Sequence, residues 1–148
     1  MVYLRIRDIK TFMNKLLTQE VFDGFLCGRM QVQSDKGVLT IENNKGYEPI
    51  CYGRLRSTLF DFIKGKQLPD KISIQLLADE TMLSEAFGEN RDEVGTASVL
   101  IGFKETELTM SSGVLLKGFS TDKTLEKQWD GYVVSYAEKL DIPYENMI

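Results

Sequence analysis

The spacing of apolar residues in this chain switches repeatedly between the period of a helix and the period of a strand. After Asp8, a predicted helix N-cap, apolar side chains recur at the i, i+3, i+4, i+7 and i+8 positions of a helix with one buried face. Residues 21–33 alternate between apolar and polar side chains, as a strand does. Both periods occur several times, so we predict a mixed α+β fold. The helical stripe consists of Ile9, Phe12, Met13, Leu16 and Leu17.

The same two periods predict the remaining elements. In the strand at residues 21–33, we expect Leu26, Gly28, Met30 and Val32 to face the core. Residues 79–95 are predicted to form a short helix followed by a mobile loop. The other strands are predicted at residues 2–6, 38–42, 71–78, 97–104, 107–111 and 114–119, the other helices at residues 53–64 and after Asp122, and tight turns at residues 34–37 and 111–113.

The length and the order of these elements define an architecture. A chain of 148 residues fits one domain, spanning residues 1–148. A domain of this size buries about 70% of the surface that its unfolded chain exposes. The element order predicts a curved antiparallel sheet with two helices packed on one face, plus a C-terminal helix.

Composition removes several classes of function. The chain has no histidine, so the usual Ser–His and Cys–His catalytic pairs are absent, and we expect no metal site and no cofactor. Cys27 and Cys51 are predicted to be reduced structural thiols. The charged start and the lack of an apolar run of roughly 20 residues predict a cytoplasmic protein with no membrane contact. The best remaining catalytic grouping, Cys51 and Tyr52 with Glu48, lacks a base, so an enzyme is disfavoured.

Three stretches of the sequence carry a resemblance. Residues 8–17 continuing to 21–23, residues 62–66, and residues 108–110 continuing through 118–123 to 129–130 resemble a family of uncharacterised proteins from Clostridia-type Gram-positive bacteria. The resemblance covers nearly the whole chain. Because that family is known only as a domain of unknown function, it implies a kinship of fold and no catalytic residues.

The order of elements also resembles one domain of a DNA sliding clamp. Residues 59–65, followed by residues 68–70 and the strand at Ile72, look like the second helix and following strand of such a domain. This is an analogy of fold alone. The acidic segment at residues 79–95 and the added helix after Asp122 depart from the clamp pattern, and a single domain of this kind cannot encircle DNA.

Charge is distributed unevenly along the chain. Residues 1–71 carry 12 basic and 8 acidic residues, a balance of +4, whereas residues 72–148 carry 6 and 14, a balance of −8. If the first two helices pack side by side, their cations form a surface for phosphate or nucleic acid that does not read sequence. Solvated helix faces are the alternative. The proposed surface comprises Lys10, Lys15, Arg54, Arg56, Lys64 and Lys66, with Lys71 beside the second helix.

Two further groups of residues suggest surfaces. Trp129, Tyr132 and Tyr136 lie on one stripe of the C-terminal helix, where they either contact a partner or pack in the core. The carboxylates within residues 79–93 either gather a hard cation or form a solvated loop. Those carboxylates are Asp79, Glu80, Glu85, Glu89, Asp92 and Glu93.

These features lead to three functional hypotheses. The first is a non-enzymatic binding or assembly domain, associated with nucleic acid through its basic helical face. The second is a protein-interaction or homo-oligomerisation module that uses the C-terminal aromatic helix. The third is an enzyme that uses carboxylates and a divalent ion, which the composition favours least.

Overall fold

The computed structural model describes residues 1–42, 49–65, 68–118 and 123–147. The helices are α1 (Ile9–Thr18), α2 (Tyr52–Ile63), α3 (Glu80–Phe87) and α4 (Thr124–Lys139). The strands are β1 (Tyr3–Ile6), β2 (Leu26–Ser34), β3 (Gly37–Glu42), β4 (Ile50–Cys51), β5 (Lys71–Leu77), β6 (Val94–Lys104), β7 (Glu107–Leu116) and β8 (Tyr144–Asn146). The predicted α+β class and the C-terminal helix are therefore confirmed.

All strands join one open antiparallel sheet. Its order is β3-β2-β5-β6-β7-β1-β8, and β4 pairs with β2 on the side where β3 also lies. The strands at the centre of the sheet, β5, β6 and β7, pair along most of their length. The two ends of this order, β3 and β8, are the edges of the sheet.

Local sequence explains where two of the helices begin. The Asp8 carboxylate accepts a hydrogen bond from the backbone N–H of Thr11 at 3.1 Å and caps α1, as predicted. Asp79 caps α3 in the same way by accepting from the N–H of Met82 at 2.9 Å. Each cap satisfies a backbone donor that the helix itself leaves without a partner.

One face of the sheet and all four described helices form a single core. Alternate strand residues such as Leu4, Met30, Ile74 and Ile101 are fully buried on this face. The helices contribute their own buried side chains to the same cluster, among them Phe12, Leu16, Leu59, Phe87, Trp129 and Val133. Because strand side chains alternate between faces, the intervening residues point to the opposite face, which no helix of the described ranges covers. We call this the uncovered face.

The prediction of which residues of β2 face the core is wrong in part. The pairing of β2 with β5 shifts register between Cys27 and Arg29. Because of this irregularity, the residues before Gly28 point to the face opposite to the one that strict alternation predicts. Cys27 is therefore buried and Leu26 is only half-buried. Residues 21–25 form turns instead of strand, because the N–H of Phe25 bonds to the carbonyl of Phe22.

The predicted turn at residues 111–113 is also wrong. Strand β7 continues through it without interruption, and Ser112 occupies a buried position facing the core. Its hydroxyl accepts from the N–H of Val2 at 2.8 Å and donates to Asp130 at 2.5 Å, so a polar residue is satisfied inside the sheet. The chain instead reverses between β6 and β7 at Glu105 and Thr106, which were not predicted to form a turn.

The remaining differences lie at ends of elements. The loop predicted after α3 is a 3-10 helix at Gly88–Glu93, followed directly by β6. The short strands β4 and β8 were not predicted. Residues 119–122, just before the predicted C-terminal helix, lie outside the described residues. None of the helices in the described ranges is long and apolar enough to span a membrane.

Candidate functional site

The first two helices lie side by side, as the basic-surface hypothesis requires. Buried Tyr52 at the start of α2 donates its hydroxyl hydrogen bond to the carbonyl of Leu16 in α1 at 2.9 Å. Lys10 and Arg54 are exposed on these helices, and neither has an ion pair within the described ranges. Lys66 lies outside the described residues.

Three of the other predicted cations have partners within the fold. The Arg56 guanidinium pairs with both carboxylate oxygens of Asp23, at 3.0 and 3.1 Å. The Asp23 carboxylate raises the pKa of Arg56 through this hydrogen bond. Lys15 donates to the carbonyl of Leu140 beyond α4 at 2.5 Å, and Lys64 pairs with Asp61 at 3.6 Å. Arg56 and Lys15 therefore hold elements together, and the fully exposed part of the basic surface is smaller than the sequence suggested.

The aromatic stripe of α4 packs inward. Trp129 has no exposed surface, donates from Nε1 to the carbonyl of Ser98 at 2.9 Å and stacks against Phe87 and Tyr132. The Tyr136 hydroxyl donates to the carbonyl of Val21, and burial raises its pKa to about 12. A partner contact through these residues stays a prediction, and buried Trp129 could join it only if α4 left the sheet.

The acidic segment contributes structure at three of its carboxylates. Asp79 caps α3, Glu80 pairs with Arg91 at 3.0 Å, and Glu85 accepts from the Tyr132 hydroxyl at 3.2 Å. Within the described residues, no group of three or more acidic or thiol side chains is arranged to hold a metal ion.

The two thiols point away from each other. Cys51 lies opposite Leu26 and Cys27 lies opposite Ile50, so the two side chains leave the paired strands on different faces. Both are free. Burial raises the pKa of Cys27 to about 11, and the Cys51 thiol donates to the carbonyl of Asp23 at 3.0 Å. Glu48, the third member of the candidate catalytic grouping, lies outside the described residues.

The uncovered face holds a cavity that the sequence analysis did not identify. Its volume is about 300 Å³, and it lies where β5, β6 and β7 meet the β6–β7 turn. We call it the hairpin cavity. Its polar lining comprises Tyr3, Lys71, Ser73, Lys104, Glu105, Glu107 and Thr109, with Gly102 among them.

Two lysines face each other at the hairpin cavity. Lys71 in β5 is directly opposite Lys104 in β6, and both point to the uncovered face because Ile72 and Phe103 point to the core. Neither lysine has an ion pair in the part of the chain that the structure describes. Like charges directly opposite each other on neighbouring strands are destabilising by a few tenths of a kcal/mol. A bound anion would remove that repulsion.

The hairpin cavity has room because Gly102 has no side chain. Gly102 lies between Ser73 and Thr109 in the paired strands, on the uncovered face. A Cβ placed at Gly102 would approach the Thr109 hydroxyl to 3.3 Å and fill the space between the neighbouring strands. The Thr109 hydroxyl donates to the carbonyl of Gly102 at 3.4 Å, so the Ser73 hydroxyl is the one available to donate to an anion that the lysines hold.

The turn beside the hairpin cavity is strained. Glu105 has φ 53° and Thr106 has φ 64°, both in the left-handed region. A two-residue hairpin with two positive φ angles normally contains Asn-Gly, and a β-branched residue such as threonine is unfavourable there. Such strain costs about 1–3 kcal/mol per residue and clusters at functional sites. The strain is a second observation that singles out this end of the sheet.

A neighbouring cavity of about 380 Å³ differs from the hairpin cavity because its cations are paired with acids. It is bordered by Arg5 and Arg7, but Arg5 lies 3.7 Å from Glu107 and 4.0 Å from Glu145, and Arg7 also pairs with Glu145. Its cations are therefore already matched with anions. The lysines of the hairpin cavity are the better candidates for an outside ligand.

Part of this site was readable in the sequence. The alternation of Lys71 with Ile72, and of Lys104 with Phe103, predicts that both lysines point away from the core. The sequence analysis placed Lys71 beside the second helix instead. What the sequence does not contain is the adjacency of β5 and β6, which are separated along the chain by α3 and the 3-10 helix.

The fold and this site define a mixed α+β domain with an open antiparallel sheet, one face covered by helices and the other without a helix among the described residues. The chain belongs to a family of unknown function, DUF5721, whose model matches residues 15–145. This confirms the resemblance to a domain of unknown function. No curated protein and no solved structure matches the chain.

Proposed function

We propose that this domain is a non-enzymatic binding domain that holds a small anionic ligand in the hairpin cavity. The observation that carries the proposal is the direct apposition of Lys71 and Lys104 at a cavity on the uncovered face. Phosphate and carboxylate groups are the anions that two ammonium groups and neighbouring hydroxyls hold best.

The surrounding charges support an anion held by the lysines. Glu107 is directly opposite Lys104 across the turn. Glu107 also lies 3.7 Å from Arg5, whose positive charge partly offsets the negative charge of Glu107. Ser73, beside Gly102, supplies a hydroxyl donor. The site therefore has two lysines at its turn end, with Glu105 and Glu107 beside them, and a neutral donor, Ser73, in the middle.

The proposal is tested by measuring binding of inorganic phosphate, pyrophosphate and citrate to the whole chain by isothermal titration calorimetry. In the double variant K71Q/K104Q, we expect affinity for the best of these probes to fall at least about tenfold, because two charge-assisted contacts are lost. K127Q, on the exposed side of α4, is the matched control and should bind as the unmodified chain does.

Thermal stability provides an independent measurement. The double variant should unfold at the same temperature as the parent or slightly higher, since the repulsion between the lysines is removed. The best probe should raise the unfolding temperature of the parent and of K127Q, and not that of K71Q/K104Q. Equal stabilisation of all three chains, or binding of none of the probes, would refute the proposal.

Nucleic-acid binding by the helical face is a second candidate function. The side-by-side packing of α1 and α2 supports it, because it leaves Lys10 and Arg54 exposed on the same helix pair. The clamp-like element order points the same way, as an analogy of fold. The net charge of −4 opposes it, so the surface would act only at low ionic strength.

A salt titration with duplex and single-stranded DNA separates the two candidates. Micromolar affinity that weakens steeply with salt and is lost in K10Q/R54Q, but kept in K71Q/K104Q, supports the helical face. Absence of binding at about 50 mM salt removes the nucleic-acid candidate and leaves the anion proposal unaffected.

A further inference from the structure

The two edges of the sheet differ in length. Strand β3 (Gly37–Glu42) pairs with β2 in an unbroken register from Arg29 opposite Glu42 to Ser34 opposite Gly37. Strand β8 at the opposite edge has only three residues. Within the described ranges, no strand pairs with the outer side of β3.

An edge strand presents unpaired backbone donors and acceptors to any other strand. Natural proteins protect such edges by keeping them short, or with a proline, a bulge or charged side chains. The short β8 follows this pattern. Strand β3 contains no proline, shows no register shift, and has one charged residue, Glu42, at its end. Val38 of β3 and Ile50 of β4, on the same side of β2, are 58% and 45% exposed.

We propose that β3 pairs antiparallel with β3 of a second copy of this chain, across a two-fold axis. Continuous faces require each residue to lie opposite one that points to the same face. A pairing centred on Leu39 meets this requirement, because it sets Leu39 against Leu39 of the second copy on the helix-covered side. The same register sets Val38 against Thr40 of the second copy on the uncovered side.

Charge complementarity selects this register and this occupant. With Leu39 at the centre, Lys36, in the turn just before β3, comes near Glu42 of the second copy at both ends of the joined strands. Glu42 is 3.5 Å from Arg29, and Lys36 donates to the carbonyl of Lys64 at 2.6 Å, so both groups are held at this edge. A lysine has three donors and can contact both partners. The pattern is self-complementary, as a two-fold interface requires.

Disulfide trapping tests the register directly. In an antiparallel pair, Cα atoms of opposite residues lie about 4.5–5.5 Å apart, which a disulfide can span. We expect the variant L39C to form a covalent dimer on oxidation with copper phenanthroline. V38C is the matched control, because it lies opposite Thr40 of the second copy and should cross-link much less. Equal cross-linking by the two variants would overturn the register.

Solution mass and charge reversal test the association itself. Sedimentation equilibrium of the unmodified chain should show a monomer–dimer equilibrium that shifts to dimer with concentration. K36E and E42K should each weaken the dimer several-fold, and the double variant K36E/E42K should restore it, because opposite charges face each other again. A monomer at every concentration, or a double variant no tighter than the single variants, would overturn the proposal. Neither result bears on anion binding by the hairpin cavity.

Discussion

The two faces of the sheet are made from the same strands and have opposite chemistry. On the covered face, Ile72, Ile74 and Leu76 of β5 are almost completely buried beneath the helices. On the uncovered face, the alternate residues Ser73 and Gln75 meet solvent. The difference teaches that one set of strands can pack a core on one side and meet solvent on the other. The covered face holds the fold together, and the uncovered face has no helix on it within the described ranges.

The largest effect is expected on the covered face. W129A should reduce the free energy of unfolding by about 3–5 kcal/mol, because it leaves a large cavity among Phe87, Tyr132 and the sheet. Urea denaturation followed by circular dichroism measures this loss. L100A on the uncovered face, where Leu100 is 44% exposed, should change stability by about 0.5 kcal/mol or less. Comparable losses in the two variants would contradict the division between the faces.

A smaller effect is expected where the helix layer is tied together. Breaking the pair between Arg56 and Asp23 should cost about 1 kcal/mol, since the side chains are 22% and 25% exposed and solvent weakens their attraction. A double-mutant cycle with R56A, D23A and the combined variant measures the coupling. R54A is the control. Arg54 lies exposed on the same helix and has no ion pair within the described residues, so its removal should leave stability nearly unchanged. A coupling energy of zero would show that the pair between Arg56 and Asp23 does not stabilise the helix layer.

The cap of α1 predicts how the helix layer responds to acid. The hydrogen bonds from the Thr11 hydroxyl and then the Thr11 backbone N–H lower the pKa of Asp8 below its ordinary value of 3.8. A lowered pKa means that the folded state favours the charged carboxylate. The stabilisation is therefore complete above pH 3.8 and is lost as pH falls through the lowered pKa of the folded state.

Unfolding temperatures measured from neutral to acidic pH check this expectation. D8N keeps a capping side chain and has no carboxylate to titrate, so the difference between the parent and D8N should shrink as the pH falls below 3.8. A difference that stays constant across that range would show that the Asp8 charge does not contribute to stability.

The smallest effect on stability is expected at the floor of the hairpin cavity. G102V should change the free energy of unfolding by less than about 1 kcal/mol, because valine suits a strand and Gly102 lies on the uncovered face. The added side chain should nevertheless fill the cavity and abolish binding of the phosphate, pyrophosphate or citrate probe. Calorimetric titration of G102V, with S98A on the same strand as control, measures this. Unchanged binding would show that the ligand does not occupy the space beside Gly102.

Much of the covered face was predictable from sequence. The spacing of Phe12, Met13 and Leu16 in α1 is confirmed, because a helix with one buried face must repeat its apolar residues at that period. The alternation of Ile72 and Ile74 in β5 is confirmed for the corresponding reason in a strand. These patterns depend only on neighbours close in the chain.

The predictions that were wrong concern segments whose structure depends on contacts between residues far apart in the sequence. Ser112 and Gly113 have the composition of a turn, but the Ser112 hydroxyl accepts a hydrogen bond from Val2 and donates one to Asp130, which keeps them within β7. Glu105 and Thr106 lack that composition and nevertheless form the turn, because the long pairing of β6 with β7 fixes where the chain must reverse. Local preferences of about 1 kcal/mol are small beside the energy of such an extended pairing.

The sequence by itself determined the α+β class, the faces of α1 and β5, and the absence of histidine chemistry. Only the tertiary structure decided that Lys71 lies opposite Lys104, that Arg56 is bound to Asp23, and that the described helices all cover the same face of the sheet. The physical reason is that periodicity records which side of an element is buried. Which elements become neighbours depends on the packing free energy of the whole chain, which no local pattern contains.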